Sequence, residues 1–523
     1  MVDFDAIIIG AGHNGLICSA YLAKAGVKTL VLERRLILGG ACVTEEISGV
    51  PGYRVSTGAA QLGNLPPEII QELDLVAHGY AFILPDPLSV FPRPGGDALT
   101  IWQDPARTFE EIQRFSGADA EALGAFQKDC GDFCEILEPS LGARAIPGDD
   151  GVRGLFEAAG RPDLFESFIE GSIRDLLEAR FESDAVQGFL GLTATFGTNG
   201  GPSTPGTAYV MAHHLFGATT GRRGQTGYVC GGMSGLAEAL ASAARRAGAV
   251  LRPGVEVSRI LAKRGIARGV ELMDGEVIRA SVVISNADPK RTYLDLVGVE
   301  SLEPAFAASI GDIQTSGPAL KVNCAVSRLP WFRGTPHGIT PARVTICPSL
   351  DYVEAAWEDA KSGRMSSKPF MTVHMQSAID ASLAPEGGHT LSCYAQYFPY
   401  DLDPSYGGWD AARHLAGEIV LDTVAEYAPD IHDVITAMEV MSPLDLERRF
   451  AMTGGHQFHG DMLPPNLFAD RPAPGGADAP GPIAGLYLCG AGTHPGGCVW
   501  GLPGRRAADA VIADLGGQKD IKR

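Results

Sequence analysis

Apolar positions follow two rhythms along the 523 residues of this chain. The unbroken run Ala6-Ile7-Ile8-Ile9 has the length of a strand buried on both faces, and Leu16–Ala25 carries the helical repeat that Gly26 closes. Val27–Leu32 reads as a second buried strand. From about residue 105 to 195 the helical repeat dominates, with helices predicted over Asp119–Leu137 and Leu164–Leu177. The first rhythm then returns. Leu236–Ala247 is a helix, Leu251–Ile260 a strand with Glu256 on an exposed edge, and Gly269–Met273 with Glu276–Ala280 a hairpin about Asp274-Gly275. Val282–Ser285 is a further buried strand. Farther on, Phe370–Met375 and His389–Tyr397 are strands, the second alternating as in a sheet covered on one face. Asp410–Tyr427 is a helix closed by Pro429, and Leu486–Cys489 is a last strand before a helix over Pro503–Leu515.

Between the first strand and first helix lies Gly10-x-Gly12-x-x-Gly15. In a chain with 66 glycines such spacing alone arises by chance. Here it follows a strand, opens a helix, and is answered by Glu33 at the end of the second strand, which is the order that binds a dinucleotide. Gly10 permits the tight turn, Gly12 lets the backbone approach a pyrophosphate, and Gly15 lets helix and strand pack closely. The helix N-terminus offers unpaired N–H groups and partial positive charge to the phosphates, and Glu33 can accept the hydroxyls of an adenosine ribose. No lysine follows the glycines, which sets the turn apart from a Walker-type phosphate loop. Glu33 would repel a 2′-phosphate, so Arg34 and Arg35 read as a solvated pair near the adenosine. A second uncharged turn, Gly490-Ala491-Gly492, can bring more N–H groups and another helix dipole to the same ligand. The nucleotide part is then discontinuous, over 1–75, 228–300 and 481–523. Residues 76–227 and 301–480 remain for a substrate-binding part with a helical cap at about 105–195.

A net charge of −20 argues against nucleic acid and against broad attachment to anionic lipid. No apolar stretch is long enough to span a membrane, which leaves peripheral membrane contact and self-association open. The first apolar run belongs to the nucleotide strand rather than to a cleaved signal, so a cytoplasmic location is expected. Ten scattered cysteines without a CxxC read as small core residues and free thiols of a reducing compartment. Cys130 and Cys134, at helical spacing, read as packing residues, and no metal site is expected. Residues Ala185–Gly221 carry no Asp, Glu, Lys or Arg and are broken by Gly200-Gly201-Pro202 and Pro205. That segment suits either the wall of an apolar pocket or plain core between domains.

The segments Gly10-Ala-Gly-His-Asn-Gly15, Glu33 with Gly39-Gly40, Gly231-Gly-Met-Ser-Gly235, Ser285-Asn-Ala-Asp288 and Leu486 to Gly497 together resemble the phytoene desaturase-like FAD oxidoreductases. With Phe458-His-Gly-Asp-Met462 and Arg471-Pro472, the chain looks most like the pyridine nucleotide-disulfide oxidoreductase domain-containing protein 2 group within them. The resemblance covers nearly the whole chain. It implies an α/β fold: a discontinuous glutathione-reductase-type, Rossmann-like FAD-binding domain and a mixed-sheet substrate domain capped by helices. By the same resemblance, the pyrophosphate of FAD lies on Ala11, Gly12, Asn14 and Gly15, the ribose on Glu33 with contacts from Arg34, and the phosphates and ribityl chain near Gly40 and Ala41. Val257 meets adenine through its backbone. Gly490 and Gly492, with Val499, Trp500 and Leu502, lie by the ribityl chain and flavin. The family commonly has a third glycine where this chain has Cys498. A flavin disulfide reductase keeps two cysteines five positions apart after the glycine pair; here Cys42 holds the first place and Ile47 the second, so dithiol chemistry is not expected.

The reading that follows is an enzyme whose FAD takes a hydride from an apolar small molecule, forming a C=C or C=N bond, with an unidentified electron acceptor such as oxygen or a quinone. The polar candidates beside the flavin are His459, His456, Asp461, His494 and Tyr228. His459 is the favoured acid or base and Asp461 its orienting partner. Two alternatives stand beside it: a carotenoid ketolase or desaturase, and a non-catalytic binding protein on the same fold, similar to the Rab GDP dissociation inhibitors.

Overall fold

The opening apolar run folds as the strand Phe4–Ile9, whose neighbours on both sides run parallel to it. The structure, a computed structural model, describes residues 3–143, 145–473 and 481–521. Residues 474–480, the last stretch assigned to the substrate-binding part, lie outside the described residues, as do residue 144 and both ends of the chain.

Phe4–Ile9 is central in a seven-stranded sheet. Thr29–Glu33 and then Val250–Pro253 lie on one side, and Val277–Ser285 and Leu486–Leu488 on the other, all parallel. Val277–Ser285 continues upstream into antiparallel pairing with Ile266–Leu272, which pairs in turn with Val257–Lys263. Ala6–Ile9 and Thr29–Glu33 are buried on both faces, which is why they read as continuous apolar runs, while the edge strand Val250–Pro253 is not. Ala6, Ile8 and Val31 pack with the helices His13–Lys24, Met233–Ala247 and Leu502–Ile521. Ile7, Ile9, Leu30 and Leu32 pack with the hairpin and with Tyr293, Leu296 and Ile310.

A second seven-stranded sheet has the order Ile435–Met441, Ala319–Val326, His389–Gln396, Phe370–His374, Arg343–Ile346, Ser89–Pro92 and Ala98–Ile101. Only the Arg343–Ile346 pairing with Ser89–Pro92 is parallel, so the sheet is mixed. One face, with Leu320, Val322, Cys393, Ala395, Met371 and Val373, packs with the helix Trp409–Ala425. The helical region has its own core, where Phe133 stacks on Phe156 and Phe168 at 5.2 and 4.8 Å beside the buried Cys130 and Cys134.

Three expectations are corrected. The helix predicted over Leu164–Leu177 breaks at Gly171-Ser172, where Ser172 caps a new helix, Ile173–Glu178, through the Asp175 N–H. The strand predicted over Leu251–Ile260 breaks at Gly254, in the left-handed region at φ +75°, so its halves pair with different strands and Glu256 sits in the connection. The alternation of His389–Gln396 is real, but its polar face is covered too: six of its eight residues are buried, Thr390, Ser392 and Gln396 bonding to Ser377, Asn323 and Thr195, while Tyr394 lines a cavity.

Candidate active site

The first sheet ends in the glycine turn, and the helix His13–Lys24 starts beyond it with Gly12 as its cap. A Cβ on Gly15 would lie 2.3 Å from the Gly10 carbonyl oxygen, so Gly15 serves helix–strand packing. One on Gly40 would lie 3.0 Å from the Gly12 Cα, and one on Gly12 2.6 Å from Asn286 Nδ2. Backbone from two loops and Asn286 thus meet around one narrow cleft. Glu33 accepts the Ala11 N–H at 2.8 Å on one carboxylate oxygen and the Arg35 N–H at 2.9 Å on the other, which leaves each oxygen a further lone pair. His13 Nε2 and Asn14 Oδ1 are buried beside the cavity without a hydrogen-bond partner.

These residues open onto a cavity of about 330 Å³, lined by Gly10, Gly12, Asn14, Glu33, Arg34, Gly40, Ala41 and Val257 among others. Ala11 and Gly15 stand behind the lining. The two arginines are not a solvated pair. Arg34 donates to the carbonyl oxygens of Arg448 and Arg449, and Arg35 pairs with Glu45 at 2.5 Å and lies over the Phe450 ring. The helix Pro443–Phe450, with Leu446 and Phe450 on the lining, roofs this end of the cavity.

The C-terminal turn reaches the cavity through Ala491, Cys498 and Val499, and not through the other positions expected there. Gly490 and Gly492 instead let the chain pass close to Asn286 and Pro289. Trp500 is fully buried and stacks on Phe216, with His213 edge-on at 4.6 Å, and Leu502 opens the last helix. Cys498 has φ +73°, a conformation that costs a non-glycine residue about 1 kcal/mol or more and explains why glycine suits this place.

Among the candidate acids and bases only His459 lines the cavity. It stands on a bend at φ +57°, its Nδ1 is buried and unpartnered, and burial pushes its imidazole down to about 4, so it is neutral at pH 7. Asp461 does not orient it. Its carboxylate accepts His456 Nε2–H at 2.9 Å and the Asn199 backbone N–H at 3.0 Å, while His456 Nδ1 accepts the Phe458 N–H at 3.2 Å. His456 and Asp461 are therefore the brace of this bend, with the buried Arg471 donating to the carbonyls of Phe458, Gly460, Asp461 and Ala491. His494 is buried outside the cavity lining, and Tyr228 stands behind His374 with its hydroxyl 3.0 Å from Nδ1. Cys42 lines the cavity with Sγ 3.5 Å from His13 Nδ1, and burial pushes its thiol up to about 12; Ile47, buried, gives it no exchange partner.

Across the cavity stands the polar face of the second sheet, which the sequence reading did not identify. Register places Lys321, Tyr394 and Thr372 in one row, and His374 beside Arg343 in the next. Lys321, 1% exposed, donates to the Ser56 and Gly58 carbonyls, and burial lowers its ammonium to about 7. Phe196 and His214, from the uncharged segment, and Phe458 add aromatic walls, while most of that segment, Tyr209 and Met211 included, is core.

A nucleotide-type sheet, parallel at its centre, faces a mixed sheet across one cavity, and the relatives of this chain are oxidoreductases. A family model described as an NAD(P)-binding Rossmann-like domain matches residues 8–69. The solved structure of cyclohexylamine oxidase from Brevibacterium oxydans superposes with a TM-score of 0.59 at 19% identity, over 98% of this chain and 99% of that one. A phytoene desaturase (neurosporene-forming) of Cereibacter sphaeroides is 25% identical over 98% of this chain and 94% of its own. The mouse pyridine nucleotide-disulfide oxidoreductase domain-containing protein 2 is 36% identical, with 98% and 94% covered. The chain belongs to the family of that protein. Among the described residues no helix is long and apolar enough to cross a membrane.

Proposed function

We propose that this oxidoreductase binds FAD along the glycine turn and works as a dehydrogenase. It removes a hydride from a small molecule with an apolar body to leave a C=C or C=N bond, and the electrons pass on to oxygen or a quinone. One observation carries the reading: a single cavity is lined both by the nucleotide turn and by the inner face of the second sheet. The residues fit FAD, since the cleft between Gly12 and Gly40 has no room for side chains and His13 and Asn14 keep buried polar atoms unpartnered there.

FAD, when bound, supplies a two-electron hydride acceptor. Glu33 has lone pairs left for ribose hydroxyls, and the first turn of the helix at His13 offers its N–H groups and dipole to the pyrophosphate. Phe196, Phe458 and Tyr394 exclude water from the substrate side. Neutral His459 accepts a proton at Nδ1 where the substrate must lose one, and Arg471 with the His456–Asp461 pair holds its bend in place. Purified protein should be yellow with about one non-covalent FAD. Anaerobic mixing with a panel of apolar amines and alkenes, carotenes included, should bleach the flavin and yield a product two hydrogens lighter. Protein that stays colourless after reconstitution with excess FAD would sink the reading.

A further inference from the structure

The cavity holds positive charge that the chain itself leaves unbalanced. Lys321 gives two of its three N–H groups to the Ser56 and Gly58 carbonyls, and among the described residues the third has no acceptor. Arg343 donates Nη1 to the side chains of Gln61 and Thr226, both on the cavity wall, and its buried Nε has no partner. Among the described residues neither cation makes an ion pair. Glu439, whose charge reaches Lys321, is engaged by Arg449 at 2.9 Å. His374 is kept neutral by burial and by these two cations, so it adds hydrogen-bonding capacity without further charge. Buried charges without a counter-ion oppose folding, and a ligand that supplies the opposite charge relieves the cost.

We propose that the end of the cavity formed by Lys321, Thr372 and His374, with Arg343 behind Gln61 and Thr226, binds a carboxylate carried by an otherwise apolar substrate. The aromatic walls of Phe196, Tyr394 and Phe458 take the apolar body. A carboxylate suits the site better than a phosphoryl group because, of the two cations, Lys321 stands on the lining while Arg343 stands behind Gln61 and Thr226, and a single ammonium balances a monoanion rather than a dianion. The inference rests on the dehydrogenase reading and specifies its substrate class.

The test is calorimetric titration of the full-length, oxidised, FAD-loaded protein with decanoate, 1-decanol, decylamine and decyl phosphate. The flavin is then neutral, so its own charge on reduction cannot create the preference. Decanoate should bind about tenfold or more tighter than decanol, as a charge-assisted hydrogen bond to a buried cation provides. Lys321→Met and Arg343→Gln should each reduce that preference while decanol affinity and FAD content stay as in the wild type. Equal affinities for decanoate and decanol, tighter binding of decyl phosphate, absence of decanoate binding, or an unchanged preference in both variants would overturn the proposal. Should the variants not fold, the wild-type ranking decides alone. Anaerobic flavin reduction in the same samples reports on the dehydrogenase reading separately: carboxylate preference without any flavin chemistry would remove that reading and leave the anion site standing.

Discussion

The two walls of the cavity are built in opposite ways. The heart of the nucleotide wall is written in one contiguous stretch, where strand, glycine turn, helix, strand and Glu33 follow one another within Phe4–Glu33 and each residue's role follows from its neighbours in sequence, although Gly40, Val257, Asn286 and Cys498 join it from elsewhere. The opposite wall is one face of a sheet whose strands start at residues as far apart as 319, 343, 370 and 389. Its polar residues become a site only through register. Local geometry dictates the first wall and tertiary pairing the second, so substitutions in the two should fail differently.

The sharpest break is expected on the nucleotide wall. Gly12→Val places a branched side chain where even a Cβ lies 2.6 Å from Asn286 Nδ2, and the purified variant should have no flavin absorbance at all. A variant with full flavin content would show that this cleft is not the cofactor's. His459→Ala, on the bend between the walls, should keep its FAD and slow anaerobic flavin reduction by roughly 10²-fold, the usual size of a proton-transfer contribution. Unchanged stopped-flow rates would return His459 to a packing role.

Lys321 on the far wall gives a pH test. Burial lowers its ammonium to about 7, so it is cationic below that pH and neutral above, facing Arg343, neutral His374 and the already paired Glu439. For a substrate that needs the cation, kcat/KM should fall as pH rises through about 7, and Lys321→Met should be low and flat across that range. A wild-type profile flat from pH 6 to 8 would count against the role. The smallest effect is expected for Cys42→Ser. The thiol is buried, its pKa is raised to about 12, and it has no second cysteine to exchange with, so turnover should stay within about twofold. Loss of turnover with flavin retained would restore thiol chemistry to this site.

How much of the molecule was legible follows from the same contrast. Strands buried on both faces announce themselves as apolar runs, so the core of the first sheet and its glycine turn could be read directly. Ala319–Val326 and Arg343–Ile346 lie outside the predicted strands, although each carries polar residues two apart, Lys321 and Asn323 in one and Arg343 and Thr345 in the other. Such alternation ordinarily marks a face turned to solvent; here the polar face is internal, and nothing local distinguishes the two cases. Asp461 pairs with His456, five residues before it, rather than with the nearer His459, which stands on a bend of left-handed backbone that the motif does not reveal. Arg34 and Arg35, expected in water, are held by a helix more than 400 residues along the chain, a contact no motif encodes.

That last contact lays a short helix over the Glu33 end of the cavity. The helix Pro443–Phe450 rests on it through the Arg34 bonds to its final carbonyls, the Arg35–Phe450 stacking and Leu446, with its own start fixed by the reciprocal Ser442–Asp445 cap. A dinucleotide seated beneath would be covered on one side by this roof. For a dinucleotide bound as proposed, loosening of these two helical turns joins the breaking of its phosphate contacts as a step of release.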